Sequence, residues 1–102
     1  MKLIKQLSEQ IEDEVSGALE YSREAVEFKY SRPSLADMYY RMACAEKEHA
    51  DMLHEHVVKI IEEVKRDKKD AVPQFMLDKW EKQHKEIIEK MAEAKVYLSL
   101  YK

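Results

Sequence analysis

Glycine is nearly absent from this sequence: Gly17 is the only one among 102 residues, and proline occurs only at Pro33 and Pro73. So few helix breakers, in a chain that is 38% charged and rich in Glu, Lys, Ala, Leu and Met, make an all-α bundle the expected fold. Cys44 is the sole cysteine, so no internal disulfide is available, which fits a reducing, cytoplasmic setting. No segment reaches the roughly 20 apolar residues of a membrane span. The opening Met1-Lys2-Leu3-Ile4-Lys5-Gln6 also lacks the apolar run of a signal peptide. A soluble protein without a membrane partner is therefore expected. Neither charge sign dominates: the net charge is −3 with both signs interspersed, and no broad basic face recommends nucleic acid. The densest basic run, Lys65-Arg66-Asp67-Lys68-Lys69, falls where a helix should end and complements its dipole.

What is present is helical periodicity. A first helix is expected over about 3–30, with Ile4, Leu7, Ile11, Ala18, Tyr21, Ala25 and Phe28 in alternating three- and four-residue steps. Glu14 interrupts that run, although its neighbour Val15 would serve the seam equally well. Gly17 sits in mid-helix beside Ser16 and Ala18, where it would let another backbone approach closely. Ser31-Arg32-Pro33-Ser34 then breaks the pattern, and Pro33 is suited to start a second helix over about 33–65. The apolar positions of that helix are Leu35, Met38, Met42, Ala45, Leu53, Ile60 and Val64, with Glu46, His49 and His56 where Leu or Met would be expected. A charged linker from Arg66 to Val72 follows. Pro73 restarts the chain into a third helix over about 73–101, marked by Leu77, Trp80, His84, Ile87, Met91, Ala94, Leu98 and Tyr101. All 102 residues are read as one domain, near the size at which a bundle often leans on a metal or a partner subunit.

The polar interruptions carry the functional signal. Glu46 and His49, three residues apart, stand on one helical face about one turn from each other. An antiparallel hairpin centred near Arg32 brings Glu14 level with position 50, beside both of them. Removing such groups from water is costly unless something pairs with them. Two carboxylates and one imidazole suit iron, manganese or zinc, and an open coordination position would suit redox or hydrolytic chemistry.

These residues resemble the ferritin-like superfamily, especially rubrerythrin and the short encapsulated ferritins. Such proteins carry a Glu with a Tyr seven residues later, then a Glu-x-x-His on the next helix; here the pattern reads Glu14, Tyr21 and Glu46-Lys47-Glu48-His49. The resemblance covers about residues 7–65. It implies a carboxylate-bridged di-iron centre, normally built from two half-sites on four helices. This chain has one half-site, so the resemblance implies a homodimer or a larger even-numbered oligomer. In it, Glu14, Glu46 and His49 of two copies would enclose two metal ions across a two-fold axis and complete a four-helix core. The implied activity is iron oxidation of the ferroxidase or peroxidase kind, with Tyr21 hydrogen-bonding a ligating carboxylate. No Cys-x-x-Cys pair is present, so the rubredoxin-like iron site of full rubrerythrins is absent. Nor does the final Tyr101-Lys102 resemble a shell-targeting tail.

Two further histidines stand in a second tier. Folding back near Lys69 sets His84 level with His54, about five residues from the metal level, and His84 with His56 forms a candidate extra metal site or a register-fixing polar layer. His54 is expected on the solvated flank. Glu81-Lys82-Gln83-His84 is a faint repeat of Glu46-Lys47-Glu48-His49. Met38, Met42, Met52, Met76 and Met91 are expected as core fillers. The alternative to a metalloprotein is a non-enzymatic helical interaction or structural module, whose Glu/His layer sets register or holds a structural metal.

Overall fold

Three helices account for the described residues: α1 (Lys2–Phe28), α2 (Pro33–Asp67) and α3 (Gln74–Tyr101). The computed structural model describes residues 2–67 and 73–102, so most of the expected 66–72 linker lies outside the described residues. The two prolines act at helix starts. Pro33 occupies the first position of α2, where its missing N–H is no loss, and the Arg32 carbonyl just before it accepts from the Ala36 N–H at 3.0 Å. Pro73 caps α3 through its carbonyl, which accepts from the Met76 N–H at 2.9 Å and the Leu77 N–H at 3.3 Å. At its other end α2 closes on Lys65 and Arg66, whose charges oppose the exposed carbonyls of the last turn.

α1 and α2 form the expected antiparallel hairpin; Ile4, Ile11, Ala18 and Ala25 are buried as expected, and at the alternate positions of α1 and along α2 the seam lies one residue from the expected stripe. On α1 the buried residues are Ile4, Ser8, Ile11, Val15, Ala18, Ser22 and Ala25. Val15 takes the seam, and Leu7, Glu14, Tyr21 and Phe28 are half-buried at its edge. On α2 the seam is Ala36, Ala43, Ala50 and Val57 at seven-residue intervals, followed by Ile61. The physical reason is size. Ser and Ala at facing positions let the two helices pack closely, and the larger Met, Leu and Tyr side chains are left to wrap the rim. Ser8 and Ser22 enter this apolar seam because their hydroxyls donate to helix carbonyls, Ile4 at 2.7 Å and Leu19 at 2.8 Å. Met38 and Met52, expected in the core, are exposed on the rim for the same reason.

α3 runs parallel to α1 and packs chiefly against it, touching α2 at few places. Gln83 donates to the Ser8 carbonyl and to Glu12, Arg23 pairs with Glu93 at 3.1 Å, and Lys29 reaches the Leu100 carbonyl. Ile87, Met91 and Ala94 are the buried positions of α3, in one cluster with Ile4, Ile11, Val15, Ala50 and Val57. The result is a rod of 56 × 18 × 18 Å. No helix among the described residues is long and apolar enough to cross a membrane. One face of the hairpin is covered by α3. The other carries Leu3, Leu7, Glu14, His49, Met52 and Ile60 as an open groove.

Candidate metal centre

Glu14, Glu46 and His49 come together on this open face. Each offers one ligand atom, and the three atoms lie within 4.8 Å of one another. The hairpin supplies the alignment: Glu14 is held at the seam edge by buried neighbours Ile11, Val15 and Ala18, and Glu46 and His49 flank buried Ala43 and Ala50. The His49 Nδ1 atom is 3.4 Å from Glu14 Oε2. Side-chain exposure falls from 56% at His49 to 27% at Glu14, so the cluster sits at a rim and not inside the core.

Gly17 is the residue whose role the sequence did not reveal. It lies three positions after Glu14, on the same face, and a Cβ built there would stand 3.2 Å from both Cδ and Oε2 of Glu46. The space is therefore taken by a carboxylate and not by a second backbone. The only glycine of the chain, placed in mid-helix between two groups of this kind, was the available signal.

The electrostatics follow from the crowding of two acids. Glu46 is hydrogen-bonded to Glu14, partly desolvated and faced by the Glu14 charge, and these causes in that order push its pKa up to about 7, against the opposing pull of His49. Two carboxyls this close hold a proton between them more readily than they ionise together. A cation supplies the same neutralisation with more charge.

Tyr21 lies on the same face nearer the hairpin turn. Its ring stacks on Tyr39 with centroids 6.0 Å apart, and Tyr39 in turn stacks on Phe28 at 6.2 Å. The Glu24 carboxylate raises the Tyr39 pKa, chiefly by its charge and also by a hydrogen bond from the phenol.

His56, one heptad beyond His49, is exposed on the same groove and is not one of the three clustered ligands. The expected partnership of His84 with His56 is not made. His84 instead meets His54, whose Nε2 lies 3.1 Å from His84 Nδ1; the His54 ring stacks on Trp80, and the His84 ring lies tilted against both. Two residues on a helix differ by about 200° in direction, so His54 faces α3 where His56 faces away. His54 is thus half-buried, not on the solvated flank, and burial together with His54 lowers the His84 pKa. The repeat at Glu81 builds no second half-site: Glu81 is exposed, and Gln83 is committed to α1. Among the described residues no other cluster of three or more potential ligands occurs.

No protein-family model, curated protein or solved structure matches the chain.

Proposed function

We propose that the chain is a ferritin-like metal-binding protein, with Glu14, Glu46 and His49 as one half of a di-metal site completed by a second copy. The observation that carries this reading is the convergence of three ligand atoms within 4.8 Å on an uncovered face, where Gly17 clears the space that Glu46 occupies. The donor set fits the metal. Two carboxylates serve iron in both oxidation states, an imidazole fills a terminal position, and manganese and zinc accept the same set. Three donors would leave part of an ion's coordination open. The open groove, rimmed by Leu3, Leu7, Met52 and Ile60, is the surface on which a two-fold partner would bring the other donors.

In this reading Glu14, Glu46 and His49 would hold iron, which would supply ferrous–ferric redox chemistry with oxygen or peroxide as oxidant. The chain's residues do the rest. Glu46 gives up its proton to join Glu14 as a second carboxylate donor, and His49 turns a ring nitrogen to the same point. The apolar rim restricts water once a partner covers it.

The test is metal content after incubation with ferrous iron and desalting. About two ions per dimer are expected, lost in Glu14→Ala, Glu46→Ala and His49→Ala. Iron-free wild type with intact helices would make the triad a polar layer and the chain an interaction module. Turnover is tested separately by stopped-flow oxidation of added ferrous iron; equal rates for wild type and Glu46→Ala would remove the ferroxidase assignment.

A further inference from the structure

On the opposite face of the hairpin, α2 and α3 meet through a pair of imidazoles. His54 Nε2 and His84 Nδ1 are 3.1 Å apart, their ring centroids are 4.7 Å apart, and both residues are half-buried. In a hydrogen bond between imidazoles one nitrogen donates and the other must offer a lone pair, so the contact holds a metal-binding nitrogen in place. Two nitrogens each about 2.0–2.1 Å from one ion stand about 2.9 Å apart at a right angle and about 3.4 Å apart at the tetrahedral angle. The observed separation lies between these values, so an ion can take the place of the hydrogen bond once the donor ring moves its proton to its other nitrogen and both rings turn their lone pairs toward one point.

We propose that His54 and His84 form a second metal site, for a borderline divalent cation such as zinc, nickel or copper(II), that clips α3 to α2. Imidazole pairs suit these ions and carry no carboxylate to favour magnesium or calcium. Water completes the coordination on the exposed side. The clip acts where the bundle is weakest, because α3 lies along α1 and has few other contacts with α2. The proposal does not depend on the triad across the hairpin.

Trp80, the only tryptophan, provides the readout, with its ring 5.9 Å from that of His54 and 5.6 Å from that of His84. Nickel chloride titrated into the full chain is expected to quench tryptophan emission in wild type and in Glu46→Ala. His54→Gln and His84→Gln, made separately, are each expected to weaken the quench at least about tenfold. Zinc should raise the melting temperature of Glu46→Ala, in which the triad is broken, by several degrees and leave Glu46→Ala/His54→Gln and Glu46→Ala/His84→Gln unmoved. Unquenched wild type, undiminished quenching in either histidine variant, or loss of quenching in Glu46→Ala would overturn the assignment. Failure here leaves iron retention by the triad as a separate result, and failure there leaves this quench intact.

Discussion

Gly17 and Glu46 show how one missing methyl group shapes a site. Alanine at position 17 should favour the helix by roughly 0.5–1 kcal/mol, yet its Cβ would press on the Glu46 carboxylate at 3.2 Å. Gly17→Ala is therefore expected to melt at or above the wild-type temperature and to bind iron several-fold more weakly. A variant with unchanged iron affinity would show that Glu46 can give way without loss. The acid pair sets a pH dependence in the metal-free protein. Folding raises the Glu46 pKa from 4.5 to about 7, so the stability it contributes is full below the unfolded value and is lost as pH rises through about 7. Allowing for partial exposure, the contribution is on the order of 1 kcal/mol. Thermal melts between about pH 5 and pH 8 should show this decline in wild type, flattened in Glu46→Gln.

At the scale of the helix, the small-residue seam makes a prediction opposite to that of the sequence stripe. Ala43 is fully buried between α1 and α2, so Ala43→Leu should overpack the hairpin and cost about 1–3 kcal/mol in denaturant unfolding. Met38→Ala, at an exposed rim position, should change stability little. All three helices were legible in the sequence, with boundaries within about two residues of those observed, because Pro33 and Pro73 mark two of the starts and helical periodicity runs through each segment. The rotation of the seam was legible only at Glu14, where Val15 stood as the alternative. Bulky apolar residues define a stripe by hydropathy, but Ser8, Val15, Ser22 and the alanines of α2 define the line along which two backbones can meet. The candidate triad was still readable because Glu14, Glu46 and His49 stand on one side of either line. The burial of His54 was not legible, because folding back near Lys69 sets the level of α3 along α2 but not its direction around it.

For the whole molecule, covering one hairpin face with α3 and leaving the other bare makes self-association the decisive measurement. Sedimentation equilibrium is expected to give an even-numbered oligomer. Met52→Glu, which adds a charge to the rim at a position already 62% exposed, should shift the equilibrium toward monomer with the helical signal unchanged. A monomer at all concentrations and with added iron would leave each copy with half a site.

The off-centre position of α3 also sets how such an assembly could grow. Two copies meeting through their bare faces would stack four layers deep, with a hairpin from each at the middle and an α3 on either outside. Ile88, Val96 and Leu100 are exposed on α3, so the outside of such a pair would be lined by α3 and still carry apolar side chains. Any growth beyond the pair would have to proceed through α3 and not through the hairpin faces, which the first contact uses up.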